Sequence, residues 1–359
     1  MTFKKILTLA GLAVCASVVL GMSVQAAEKT KAAFVYVGPI GDHGWSYQHH
    51  EGLKAVEKAF GDKIETTYVE SVSEGPDAER VIRQLAQNGN QIIFTTSFGY
   101  MNPTLKVAKA FPKVKFEHST GFKRSANVAT YNARFYEGRY VAGLVAGKMT
   151  KSNTIGYIAS FPIPEVVMGI NATYLGAKSV NPNVKMKVVW VSTWFDPGKE
   201  ADAAKALRDQ GADILFQHTD SPAAMKIAEQ EGVFAVGQAS DMHTFGPKAQ
   251  LTAIVNNWAP YYVKRIKEVM DGTWKSGDVW GGFGSGMLLL ADWNKAVPAD
   301  VVAQANKVRD EIIAGSFHPF TGPLNKQDGT AFLKAGEVID DGALSGMNFY
   351  VEGVTGKLP

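Results

Sequence analysis

Three histidines, an aspartate and a tryptophan crowd into one stretch, GPIGDHGWSYQHHEG, which runs from Gly38 to Gly52 directly after the apolar run AAFVYV. Residues of these types can hold a metal, cradle a phosphate, move protons or wall a pocket for a flat ligand. A metal is the poorest fit. His49 and His50 are neighbours on an expected helix, so they point about 100° apart, and zinc wants three or four convergent nitrogen, sulfur or oxygen ligands. Two surface helical histidines are the plainer expectation. A phosphate loop fits no better, because GPIGDHG has neither the Lys-Ser/Thr of the Walker pattern nor the G-x-G-x-x-G spacing, and Asp42 would repel the anion. No G-x-S-x-G elbow presents a nucleophile. Asp196 and Glu200 read as helix-start carboxylates. No metal, cofactor or catalytic residue is expected on these grounds.

What remains is recognition of a planar, hydrogen-bonding ligand. Trp45, Tyr100, Trp194 and Phe195 are large aromatic residues placed just after apolar runs, and an indole suits stacking on a ring system. Interlobe packing is the plain alternative for each. Asp42, Asn102, Asp220 and Asp241 add acceptors or donors for ring N–H groups and ring nitrogens, although Asp42 is equally suited to cap the following helix. The amide of Gln238 can serve either hydrogen-bonding pattern.

The elements that must position these residues follow from the apolar pattern. AAFVYV, IETTYVES, QIIFTTS and KVKFEHST read as strands separated by the helices YQHHEGLKAVEKAFG, PDAERVIRQLAQNG and TLKVAKAFP. After NVATYNARFYEGRYVAGLVAGKMT the alternation restarts with TIGYIAS and runs on to VFAVGQ. Strand–helix alternation at this spacing implies right-handed βαβ units and parallel sheets. The fold expected is α/β, two doubly wound Rossmann-like lobes joined by hinge strands. Open parallel sheets bind ligands beyond the carboxyl ends of their strands, which singles out GPIGDHGW, SFGYMN, SFPIPE, TWFDP, HTDSP and QASDMH as loops facing a common cleft.

The chain begins with two lysines, an apolar segment over 6–22 and the small-residue sequence SVQAA. That is the pattern of a secretory signal peptide cleaved after Ala26, and it implies export to the periplasm. The lone cysteine, Cys15, follows Val14 rather than a small residue, so a lipid anchor is not expected. Removing Lys4 and Lys5 with the leader lowers the formal charge from +3 to +1. No basic stripe or motif points to nucleic acid. The remaining chain, about 330 residues, is long enough for two lobes without disulfides. They are expected at 27–131 with 258–283 and at 132–257 with 284–359.

At this point the residues resemble a known family. The chain is similar to the basic membrane protein family, solute receptors of ATP-driven importers that include purine nucleoside receptors and share the type I periplasmic binding protein fold. GPIGDHGWS keeps the aspartate of the family's G-x-x-N-D-x-S-F-N as Asp42 and puts Trp45 at its stacking Phe. YEGRYVAGLVAGKMT follows E-G-x-Y-L-A-G-x-x-A-G-x-x-T through Glu137, Gly138, Tyr140, Gly143, Gly147 and Thr150. VSTWFDPGKEADAAKALRDQGADILFQ matches V-G-S-F-x-D-P and the helix after it, with Trp194 at the second stacking Phe.

The departures are more informative. The resemblance implies an Asp and a Lys that hold the ribose, and this chain has Ala239 and Asn256 at those positions. A buried sugar hydroxyl without its partner costs about 1–3 kcal/mol, so the resemblance implies a free base such as adenine or hypoxanthine rather than its nucleoside. The implied mechanism is hinge closure about 130–134, 255–258 and 280–286, with each lobe giving one tryptophan and the closed monomer docking on an inner-membrane permease. Three alternatives stand at this stage. They are a nucleoside receptor in which Asp241, Asn256 or Asn257 replaces the sugar anchors, a receptor for a larger flat ligand such as a flavin, and a periplasmic nucleosidase or hydrolase.

Overall fold

Short runs of buried β-branched and aromatic residues become the inner strands of two largely parallel sheets. The computed structural model describes residues 28–359; the expected leader, its cleavage after Ala26 and Cys15 lie outside the described residues. The chain first alternates β1 (Thr30–Val35), α1 (Trp45–Phe60), β2 (Ile64–Val69), α2 (Pro76–Gln87), β3 (Ile92–Thr95), α3 (Met101–Ala110), β4 (Lys115–Ser119) and β5 (Val128–Ala133). It then passes through α4 (Phe135–Met149), β6 (Thr154–Ala159), α5 (Pro164–Lys178), β7 (Lys185–Trp190), α6 (Pro197–Asp209), β8 (Ile214–His218), α7 (Ala223–Glu231), β9 (Phe234–Ala239) and β10 (Gln250–Asn256). After α8 (Ala259–Met270) come β11 (Asp278–Gly281), β12 (Leu288–Leu290), α9 (Ala299–Ile313), β13 (Leu324–Asn325), β14 (Ala331–Leu333), α10 (Asp341–Ser345) and β15 (Val354–Thr355).

Among the described residues the first sheet has the order β11-β5-β4-β3-β1-β2 and the second β12-β10-β9-β8-β6-β7-β15. All pairings in them are parallel except β10 with β12. Each sheet therefore has the doubly wound topology, with its switch point beside β1 and β3 in the first lobe and beside β6 and β8 in the second. Crevices open at such points. The chain crosses between lobes where β5 gives way to α4, where β10 gives way to α8, and where β11 gives way to β12. Three strand connections side by side permit rotation of one lobe against the other.

Packing explains the glycine-rich motif of α4. A Cβ at Gly143 would stand 2.2 Å from the Thr173 carbonyl, and one at Gly176 2.0 Å from that of Tyr140. The backbones of α4 and α5 thus touch, which only residues without a side chain permit. In the first lobe α8 docks through a buried charge: Glu117 on β4 accepts hydrogen bonds from Arg265 Nε, Tyr261 Oη and Trp274 Nε1, each at 2.6 Å. Charges survive burial only when paired and hydrogen-bonded in this way.

Several sequence expectations need correction. α1 starts at Trp45 and α3 at Met101, both earlier than the apolar pattern suggested. His49 is not a surface residue. It is fully buried, bonds to the Tyr262 hydroxyl through Nδ1, and stacks on Trp258 at 4.8 Å with the rings 7° apart. His50 is half-buried against Tyr68. No group of three or more metal-ligating side chains occurs among the described residues.

Candidate functional site

Between the two switch points lies a slot lined by residues from both lobes. Val37 and Trp45 come from the end of β1 and the start of α1, Ser97 and Phe98 from the turn after β3, and Thr120 from the end of β4. The second lobe contributes Ile163 and Glu165 after β6, Trp194 after β7, His218 and Asp220 at the end of β8, and Gln238 on β9. The slot is nearly closed, with a cavity volume of about 20 Å³. It is therefore thin, bounded by one tryptophan from each lobe. A wider cleft of 420 Å³ adjoins it and shares Phe98, Thr120, Ile163 and Glu165. There Arg134 stacks 4.7 Å over Trp280 and grips Asp341 with two hydrogen bonds of 2.7 and 2.6 Å.

The lobes touch beside the slot. A Cβ at Gly44 would lie 2.3 Å from the Asp220 carbonyl oxygen, so glycine is required for that approach. The Ser240 hydroxyl donates to the His43 carbonyl, and Gln48 Nε2 donates to the Asn256 carbonyl at 2.6 Å. His43 takes the left-handed conformation with φ 59° to turn the chain there.

The polar groups of the slot have definable roles. Gln238 Oε1 accepts from Arg139 Nη2; a guanidinium only donates, so the Gln238 amide nitrogen is left as the free donor. His218 Nε2 stands 3.3 Å from Glu165 Oε1, while Nδ1 has no partner. Burial pulls the His218 imidazole below its usual range, against the pull of Glu165. The neutral ring then carries its proton on Nε2 and offers Nδ1 as an acceptor. Trp194 Nε1 is a buried donor without a partner, whereas Trp45 Nε1 donates to the Thr96 carbonyl at 2.6 Å. Burial raises the Asp220 carboxyl well above its ordinary value, and Asp42 and Glu200 push it further the same way.

The structure sorts the residues singled out from sequence. Trp45, Trp194 and Asp220 line the slot. Asp42 is buried beside it but holds the start of α1, accepting from the backbone N–H groups of Gly44 at 2.8 Å, Ser46 at 3.0 Å and Tyr47 at 2.9 Å. Tyr100 is a correction: it packs in the core behind the sheet and its hydroxyl donates to the Val72 carbonyl. Asn102 lies exposed on α3, and Asp241 is exposed, accepting from His243 N and Gln250 Nε2. Phe195 is half-buried against Gly38 rather than on the slot, and Asn256 is buried off it with an unpartnered amide. Phe98, Ile163, Glu165 and His218 were not singled out individually, although their loops were; the signal was their position at the carboxyl ends of strands.

Two α/β lobes meeting at a slot between paired switch points make up the type I periplasmic binding protein fold. The sequence profile of PnrA-like ABC transporter substrate-binding proteins (Bmp) matches residues 29–318, and the chain belongs to that family. It is 57% identical over 348 residues to a purine-binding protein of Brucella abortus, covering 97% of this chain and 99% of that one. It is 40% identical to a putative ABC transporter glucose-binding protein of Haloferax volcanii, covering 92% and 82% of the two chains. Among solved structures, a solute-binding protein from Aeropyrum pernix shares the fold with a TM-score of 0.71 at 19% identity, over 80% of this chain and 92% of that one. One from Conexibacter woesei gives 0.65 at 23%, over 80% and 98%. The chain is thus a transport receptor, and the hydrolase alternative falls with that membership. No helix among the described residues is long and apolar enough to cross a membrane.

Proposed function

We propose that the protein captures a purine in the Trp45–Trp194 slot and delivers it to an importer, the free base being preferred over its nucleoside. The observation that carries this is a thin slot with an indole on each side and unpartnered donors and acceptors around it. Aromatic walls recognise the π face of a base, and directed hydrogen bonds recognise its edge. The Brucella relative's name, a purine-binding protein at 57% identity, supports the same class. Preference for the base rests on the two ribose-anchor positions, Ala239 and Asn256, where neither residue can replace an acid and a lysine. Both are buried and neither lines the slot. The protein works in the periplasm as a monomer, its lobes closing over the ligand before they meet the permease.

A nucleoside is the second reading, favoured by the 420 Å³ cleft that adjoins the slot and would give a sugar room. A thermal-shift panel on ligand-stripped protein separates the two. It compares adenine, hypoxanthine, guanine and xanthine with their nucleosides, riboflavin and glucose. A ligand at 100 times its Kd adds about 2.7 kcal/mol of stability. We expect a rise in melting temperature with a base and little with its nucleoside. A rise with nucleosides alone would reverse the preference, and a rise only with glucose would overturn the purine assignment.

A further inference from the structure

Asp220 is the most unusual group in the slot. Its side chain is buried, it lines the cavity, and no lysine or arginine pairs with it among the described residues. Three acids act on it: Asp42 from the loop before α1, Glu200 from α6 and Glu165 from α5. His218, on its own strand end, is neutral for the reasons given above. The nearby Trp45 backbone N–H pulls the other way, toward the anion. Asp42 differs from it, because three backbone N–H groups converge on its two oxygens. Burial raises Asp42 as well, to about 6, but those N–H groups hold it down, so of this neighbouring pair Asp42 is the one that ionises first and Asp220 the one that keeps a proton.

Position adds to charge. The Asp220 backbone N donates to the Trp194 carbonyl at 2.9 Å, and its own carbonyl abuts Gly44 of the other lobe. The residue is thus held where the lobes meet, beside Trp194 and on the wall of the slot that both indoles line. A carboxylate can only accept hydrogen bonds, whereas the neutral acid donates through one oxygen and accepts through the other. Purines carry the complementary arrangement, an N–H next to a bare ring nitrogen.

We propose that Asp220 enters the complex as the neutral acid and reads such an edge, its O–H donating to the ring nitrogen while its carbonyl oxygen accepts from the adjacent N–H. This rests on the purine reading and goes further by assigning the group that selects the edge. Wherever the open, hydrated protein has Asp220 ionised, closure takes one proton from solvent. The remaining slot groups then serve the rest of the ring: Gln238 and Trp194 as donors, His218 Nδ1 as an acceptor.

The test is calorimetric titration of the mature protein with adenine, which stays neutral between about pH 5 and pH 9, in buffers of differing ionisation enthalpy. On the alkaline side we expect uptake approaching one proton and about tenfold weaker binding per pH unit. Asp220→Asn presents an amide N–H and C=O in place of the acid's O–H and C=O, so it should hold adenine with a flat pH profile. Its melting curve reports folding independently. Wild-type binding without proton uptake or pH dependence would overturn the proposal while leaving the purine reading intact. A tenfold or greater loss in a normally folded Asp220→Asn at acid pH would also overturn it, because the carboxylate itself would then be the ligand. No binding of any base at any pH would overturn the purine reading and the proposal with it.

Discussion

The two indoles of the slot are not equivalent, and the difference decides what their removal does. Trp45 is 8% exposed, fixed by its bond to Thr96, and its edge packs against His49 at 4.3 Å and Trp258 at 5.6 Å. Trp194 is half-buried, its ring 5.0 Å from that of Phe161 and its N–H unpartnered. Loss of one stacking face costs about 1–3 kcal/mol of base binding. Trp194→Ala should show that loss in a titration with little change in melting temperature. Trp45→Ala should lose both affinity and stability, because an aromatic truncation in a core costs about 3–5 kcal/mol. Unchanged affinity in both variants would remove the sandwich.

At the scale of elements, capping carboxylates connect the strand ends to the helices that follow. The Asp196 side chain accepts from Lys199 N at 3.0 Å while Glu200 reaches back to Asp196 N, a reciprocal pairing like that of a capping box but with the acid one residue further along the helix. Glu200 also accepts from the Ser221 backbone N–H at 3.1 Å and hydroxyl at 2.7 Å, tying α6 to the turn that carries Asp220. Burial pushes Glu200 up to about 7, against the hydrogen bonds that hold it down. A carboxyl raised in the folded state favours folding below its unfolded value and loses that advantage as pH rises through the folded one. Stability should therefore fall between about pH 4.5 and pH 7, by about 3 kcal/mol for this group. Glu200→Gln should flatten that part of the profile of melting temperature against pH. An unaltered slope would mean that Glu200 does not carry it. The helix-start role of Asp196 and Glu200 was legible in the sequence, since capping depends on a local spacing. The tie to Ser221 was not, because the two residues lie on different βα units.

For the whole molecule, the proposed capture depends on an equilibrium between lobes that are apart and lobes that touch. Contact is made where Gly44 meets Asp220, where Ser240 meets His43 and where Gln48 meets Asn256. A ligand shifts that equilibrium only by its differential affinity for the closed form. Gly44→Ala places a methyl group 2.3 Å from the Asp220 carbonyl oxygen, and overpacking of this kind costs about 1–3 kcal/mol. The variant should melt as the wild type does without ligand but bind purine about tenfold or more weakly. Its radius of gyration should stay large when ligand is added, as read by small-angle scattering. Equal compaction of variant and wild type would place the contact outside the closing motion.

The alternating strands and helices, the doubly wound class and the loops that form the cleft followed from the sequence, because apolar period and βα order are local properties of the chain. So did Trp45, Trp194 and Asp220 as slot residues, since each sits at or just beyond a strand's carboxyl end. The tertiary structure alone decided the rest. Tyr100 and Asn102 stand at the start of α3, and the direction of that helix sends one into the core and the other to solvent. Asp42 and Asp220 are 178 positions apart in the chain, and only docking of the lobes makes them neighbours whose charges oppose each other. Arg139 orients Gln238 from 99 positions away. Local spacing fixes which elements form and where they end; burial, charge and hydrogen-bond direction belong to groups that meet only once the chain has folded.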